Sequence, residues 1–164
     1  MASGDTLLVF TPLHNEPPGS DYATLDVRNE HPVLDFDAAN EESAMFSGVL
    51  PRHYSGGGLT VTLHVAFSSA TSGNSVWQVA FERIGIEHQD MDEDGFATAR
   101  QIDIEASSPS GEVLTGSTGF GNGGDIDGVI AGEGFRLKVG RDADNVDDDA
   151  VGDAELVFVE LKET

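Results

Sequence analysis

The carboxylates with the most regular spacing form the motif Asp90-x-Asp92-x-Asp94-Gly95. Alternate carboxylates of this kind converge on a hard cation, and the glycine allows the tight turn that brings them together. The twelfth position of this loop is Gln101, where an EF-hand has a bidentate glutamate. Asp90, Asp92 and Asp94 are therefore predicted to form a calcium loop of a non-EF kind, and the alternative is a plain acidic turn.

A second acidic segment, residues 142–149, contains five aspartates and one asparagine. These side chains offer many oxygens, but their spacing matches no metal-binding loop. The segment is predicted to be a solvated loop between two strands, and metal binding is the weaker alternative.

Nucleophilic catalysis has little support in this chain. The five histidines are scattered, cysteine is absent, and no G-x-S-x-G motif occurs. Carboxylates are so abundant that any pair of them carries no information about glycosidase chemistry. The sequence therefore predicts no enzyme, no catalytic residue and no cofactor other than calcium at the acidic turn.

Aromatic side chains that stack on sugar rings are another source of chemistry, and the candidates are Tyr54 and Trp77. Trp77 shares one strand face with Val79 and Phe81, so we expect it in the core. Tyr54 is the candidate ring for a carbohydrate site.

Two predicted strands form the framework that positions these residues. Residues 59–67 are apolar at every odd position, and residues 76–84 place Trp77, Val79 and Phe81 on one face. A period of two buries one side of each strand, and the polar segment 68–75 between them predicts a hairpin with a medium loop.

The rest of the chain repeats this pattern. About 8–10 short strands are separated by turn residues, and no amphipathic stretch has helical length. The predicted fold class is all-β, an antiparallel β-sandwich of jelly-roll type. Prolines at positions 12, 17 and 18 predict an extended N-terminal arm over residues 1–20, without internal partners, followed by a single β-sandwich domain over residues 21–164.

The charge excludes one class of partner. The chain has 30 acidic and 8 basic residues, a net charge of -22. Such a surface repels phosphate backbones, so we expect no direct nucleic-acid binding. No apolar run approaches the roughly 20 residues of a membrane helix, so no membrane partner is expected.

Several segments together carry a resemblance that spans nearly the whole chain. They are residues 10–18, 23–26, 31–36, 56–61, 77–83, 135–137 and 141–143. In these segments the chain resembles small uncharacterised jelly-roll virion proteins of tailed phages, of the capsid-decoration or fibre-associated type. The resemblance implies a non-enzymatic structural protein located in the virion. It also implies assembly as a homo-oligomer, with trimers favoured, and contact with other virion proteins such as the major capsid protein.

A second hypothesis comes from a different functional class. The same fold suits a carbohydrate-binding jelly-roll module, calcium-assisted at the acidic turn, that uses Tyr54 or another exposed aromatic ring.

Overall fold

The structure is a computed structural model that describes residues 4–87 and 89–164. Within these residues there are ten strands and two single-turn 3-10 helices, at Pro12–His14 and Gly124–Ile126. The strands are β1 (Thr6–Phe10), β2 (Thr24–Arg28), β3 (His31–Phe36), β4 (Glu42–Val49), β5 (Leu59–Phe67), β6 (Asn74–Ile84), β7 (Arg100–Glu105), β8 (Leu114–Phe120), β9 (Gly134–Arg141) and β10 (Ala154–Glu163).

The strands form two antiparallel sheets. The six-stranded sheet has the order β2-β3-β10-β5-β8, and β1 pairs with the C-terminal half of β10. The four-stranded sheet has the order β4-β9-β6-β7. The prediction of an all-β antiparallel sandwich is confirmed. Within the described ranges, no helix is long and apolar enough to cross a membrane.

The core lies between the inner faces of the two sheets. Leu59, Val61 and Leu63 of β5 are fully buried, as are Trp77 and Phe81 of β6. Aromatic rings contact one another across the gap, Phe36 with Trp77 at 4.8 Å and Phe81 with Phe120 at 4.9 Å between ring centroids. The predicted inner faces of both strands are confirmed, because a two-residue period fixes which side chains share a face.

The predicted hairpin between β5 and β6 is wrong. β5 pairs with β10 and β8 in the six-stranded sheet, whereas β6 pairs with β9 and β7 in the four-stranded sheet. Residues 68–73 therefore cross from one sheet to the other, and Ala70 is buried in the crossing. Alternation describes two strands equally well whether they lie side by side or face each other across a core.

The N-terminal segment is also more integrated than predicted. β1 pairs with β10, Phe10 is 6% exposed, and the Glu16 amide donates to the Met45 carbonyl. The expectation of an arm without internal partners is wrong over residues 4–16. β1 ends before Pro12, so the missing proline donor leaves its ladder intact.

Arg141 closes one end of the sandwich. Its side chain is fully buried and makes two hydrogen bonds to the carboxylate of Asp148, at 3.0 and 2.7 Å. It also donates to the carbonyls of Phe36, Ala150 and Gly152. The segment 142–149 is thus not simply a solvated loop, because Asp148 is one of the buried anchors of the fold.

Asp35 lies in β3, opposite Glu155 of β10. Burial is the main reason that its pKa rises to about 6, and the nearby carboxylates of Glu155, Asp26 and Asp153 raise it further. Its Oδ1 atom is buried and has no hydrogen-bond partner among the described residues. A carboxyl group in this position is less stable when charged than it is in water.

Candidate functional site

A cleft of about 1000 Å³ lies on the outer face of the four-stranded sheet. The outward side chains of β4, β9 and β6 stand in register beneath it. One row is Ser43, Gly140 and Gln78, and the next is Met45, Lys138 and Ala80. Neighbouring rows on one face of a sheet are about 7 Å apart along the strands. The cleft therefore spans three strands in one direction and at least two rows of side chains in the other.

Small residues keep the floor of the cleft low. Gly140 lies between Ser43 and Gln78, and a Cβ atom added there would sit 3.2 Å from the carbonyl oxygen of Glu42. Ala80 occupies the equivalent β6 position in the next row. A ligand can therefore approach the backbone of the sheet between the taller side chains of Gln78 and Lys138.

Three connecting segments form the acidic walls of the cleft. The β3–β4 turn contributes Asn40 and Glu41, and Glu42 follows at the start of β4. The carboxylate of Asp37 holds this turn by accepting the amides of Ala39 and Asn40. The other wall residues come from the segment before β2 and from the loop after β9; they are Pro18, Ser20, Asp21, Asp142 and Asp144.

Hydrogen bonds connect the walls to the floor. Gln78 and Asn145 donate side-chain amides to Asp142 Oδ2, at 3.2 and 3.1 Å. These bonds, that from Asn145 above all, lower the pKa of Asp142. The hydrogen bond between Glu41 and Asp142 is the main reason that the pKa of Glu41 is raised. Asp142 is therefore the carboxyl group of this pair that ionises first as the pH rises.

The cleft continues into a smaller, more apolar cavity of about 200 Å³. Phe96 lines it together with alanines, and the two cavities share Gln78, Lys138 and Gly140. The guanidinium of Arg136 lies 5.5 Å from the centre of the Phe96 ring. Arg136 also donates to the carboxylate of Glu82 at 3.1 Å. The Phe96 ring therefore makes a cation–π contact with a guanidinium whose position is fixed by an ion pair.

The aromatic residues singled out in the sequence lie elsewhere. Trp77 is fully buried, which confirms the core prediction. Tyr54 is 7% exposed, and its hydroxyl accepts the Gly58 amide and donates to Asn122. Tyr54 is therefore not available as a sugar platform, and that expectation is wrong. Phe96 takes its place as the ring beside the cleft.

The predicted calcium residues lie in an exposed turn within the β6–β7 connection. Asp90 Oδ1 accepts the Asp92 amide at 3.0 Å, and Asp94 Oδ2 accepts the Asp90 amide at 2.6 Å. Among the residues that the structure describes, no three His, Cys, Asp or Glu side chains are grouped so that they could hold a metal ion. Asp90, Asp92 and Asp94 stay a prediction.

Calorimetric titration of the whole chain with calcium checks that prediction. Two of the three carboxylates must exchange amide hydrogen bonds for metal bonds, so we expect weak binding, with a dissociation constant of about 10⁻⁴–10⁻³ M. Asp92→Asn should abolish the heat, and Asp103→Asn, a matched change on an exposed carboxylate of β7, should leave it unchanged. Absence of saturable heat at millimolar calcium contradicts the prediction.

Sequence reasoning did not single out Gln78, Lys138, Phe96 and Glu41 as site residues. A signal was present for the first two, because Gln78 and Lys138 are polar residues at outward positions of strands whose inward positions are apolar. No pattern in the sequence indicates that Glu41 and Phe96 both lie over that face. Their positions depend on how two connecting segments fold back onto the sheet.

Comparison with known proteins supports the fold. No family model and no curated protein sequence matches the chain. Among solved structures, the xylan-binding module CBM15 is 10% identical, with a TM-score of 0.50, and the alignment covers 96% of this chain and 97% of that one. A CBM35 from Cellvibrio japonicus Abf62 is 8% identical, with a TM-score of 0.46 and coverage of 94% and 91%. The CBM6 module of Cellvibrio mixtus lichenase 5A is 10% identical, with a TM-score of 0.47 and coverage of 98% and 99%.

Proposed function

We propose that the chain is a non-catalytic carbohydrate-binding module, and that the cleft on the outer face of the four-stranded sheet binds a segment of a glycan chain. The observation that carries the proposal is the cleft itself, about 1000 Å³ in volume and lined mainly by polar side chains over a low floor. The carbohydrate-binding alternative thus becomes the leading hypothesis.

The chemistry of the lining suits a ligand covered with hydroxyl groups. A sugar hydroxyl both donates and accepts, so it needs partners of both kinds. The amides of Asn40 and Gln78 offer both, Lys138 donates, and the wall carboxylates accept. A cleft of this composition satisfies many hydroxyls at once, whereas typical pockets for drug-like ligands are mostly apolar.

Phe96 provides the apolar complement. Its ring lines the smaller cavity next to Lys138 and Gln78, and Arg136 stacks against it. Aromatic rings contribute large contact areas in binding sites while losing little conformational entropy. We place one sugar ring against Phe96, and the neighbouring sugars of the same chain along the polar cleft.

The fold is compatible with this proposal. The structure of the xylan-binding module CBM15 has the same two-layer architecture over nearly the full length of both chains. At 10% identity the likeness concerns the fold alone. The choice of binding face and of its residues therefore rests on the cleft of this chain.

A glycan array followed by titration of the bound glycans tests the proposal. Phe96→Ala should weaken binding by about tenfold, which corresponds to roughly 1.4 kcal/mol of lost contact. Phe158→Ala is the matched control, because Phe158 is an exposed ring on β10, in the other sheet, beside His64. Binding of no glycan at all contradicts the proposal, as does a loss caused by Phe158→Ala but not by Phe96→Ala.

A further inference from the structure

We infer that the cleft prefers glycans bearing protonated amino groups over neutral glycans and excludes glycans bearing carboxylates. This inference rests on the proposed function, since it concerns the ligand class of the same cleft. It is carried by the charge and the free hydrogen-bonding capacity of the lining residues.

The lining is strongly anionic. Five carboxylate residues line the cleft, namely Asp21, Glu41, Glu42, Asp142 and Asp144. The two cationic lining residues are Lys138 and Arg141. The guanidinium of Arg141 is already paired with the buried carboxylate of Asp148, so it does not offset the wall charges. Lys138 is therefore the cationic group of the lining that is left to offset these five carboxylates.

The carboxylates differ in how far the protein already satisfies them. Asp142 receives two amide donors, and one oxygen of Glu42 accepts the Asp37 amide at 2.9 Å. The exposed side chain of Asp144 has no hydrogen-bond or salt-bridge partner in the part of the chain that the structure describes. Its charge is felt inside the cleft, because repulsion from Asp144 contributes to the raised pKa of Glu41. Asp144 therefore has both carboxylate oxygens available for a cationic ligand.

A protonated amino group is the sugar substituent that complements such walls. A carboxylate accepts hydrogen bonds and donates none, whereas an ammonium donates three and accepts none. Hydrogen bonds between charged partners are stronger than those between neutral ones. A uronate in the same position would place its negative charge beside the wall carboxylates, and Lys138 alone would be available as a cation to neutralise the uronate.

The cleft and the smaller cavity are continuous enough for one sugar chain to occupy both. The acidic end and the Phe96 end share Gln78, Lys138 and Gly140, so one chain can contact both. A sugar chain that contacts Phe96 in the smaller cavity can continue into the cleft lined by Glu41 and Asp144. Lys138 stands between the two ends, where it donates to a neutral hydroxyl of the ligand.

The test compares four hexasaccharides by calorimetry with the full chain at about pH 5.5, where most sugar amines are protonated and ordinary carboxylates are charged. They are the hexamers of glucosamine, N-acetylglucosamine, xylose and galacturonic acid. We expect the glucosamine hexamer to bind about tenfold more tightly than the N-acetylated one, and the galacturonate hexamer to show no binding. The difference should shrink at about 0.5 M NaCl, because salt screens the charges of an open cleft.

Variants separate the cleft from the overall negative charge of the protein. Asp144→Asn should weaken glucosamine hexamer binding by about threefold, as expected for one partly solvated charge pair, and leave the N-acetylated hexamer unaffected. Asp147→Asn makes the same change in charge at an exposed residue outside the lining, so it should have no effect.

Each outcome of this experiment has a distinct meaning. If neutral hexamers bind and the glucosamine hexamer binds no better, the inference is wrong and the proposed function stands. If no hexamer binds, the proposed function itself fails. If Asp147→Asn weakens binding as much as Asp144→Asn, or if octalysine competes equally well, attraction to a polyanion explains the result and the inference is overturned.

Discussion

Replacing Arg141 by leucine should lower the free energy of unfolding by about 3–5 kcal/mol, because removing one partner of a buried ion pair leaves the other charge uncompensated. Asp148 would keep its carboxylate in a site where its side chain is 1% exposed, and three carbonyls would lose their donor. For a chain of this length, such a loss lowers the melting temperature by about 10 °C or more. Chemical denaturation at neutral pH measures it.

An exposed ion pair is the matched control for Arg141. The side chains of Arg100 and Asp125 are 44% and 40% exposed, so Arg100→Leu should cost less than about 1 kcal/mol. A double variant, Arg141→Leu with Asp148→Leu, should recover only part of the loss. Asp148 also accepts the Val76 amide at 2.9 Å, and that amide would remain unsatisfied. Equal effects of Arg141→Leu and Arg100→Leu would refute the structural role of Arg141.

Asp35→Asn should stabilise the protein at neutral pH by about 1–3 kcal/mol, which follows from a pKa raised from 3.8 to about 6. The folded state binds this proton more tightly than the unfolded state does. The wild-type protein therefore loses stability as the pH rises from about 4 to about 6, and the loss persists above that range. Asparagine is never charged, and its amide can donate to Asp26, as the protonated form of Asp35 can.

Denaturation curves at several pH values test the sign of this effect. The gain from Asp35→Asn should be greatest above about pH 6 and should vanish below about pH 4, where the aspartate is protonated in both states. Asp103→Asn alters an exposed carboxylate of β7 and should change stability by less than about 0.5 kcal/mol at any pH. A gain for Asp35→Asn that is independent of pH would show that its charge is not the cause.

The virion role, the trimer and the contact with a major capsid protein stay predictions from the resemblance of the sequence. Partner choice depends on surfaces of a second molecule as much as on this one. Size-exclusion chromatography with light scattering tests the trimer directly, since a monomer contradicts it.

The prediction of a separate arm over residues 1–20 shows that local sequence patterns do not reveal which strands pair. Pro17 and Pro18 do interrupt regular structure, and the chain is irregular there. The apolar residues before them indicate a strand, but its partner, β10, lies more than 140 residues away. Sequence spacing alone contains no information on such a distant pairing.

The sequence by itself determined the all-β sandwich and the apolar side chains with which β5 and β6 face the core. The inner faces of β5 and β6 follow from the two-residue period of the backbone, whatever the strands pair with. Only the tertiary structure decided that these strands belong to opposite sheets, that Asp148 is buried against Arg141, and that Gln78, Glu41 and Asp144 meet in one cleft. A period determines the face of a residue, whereas its neighbours across sheets and loops depend on the packing of segments distant in sequence.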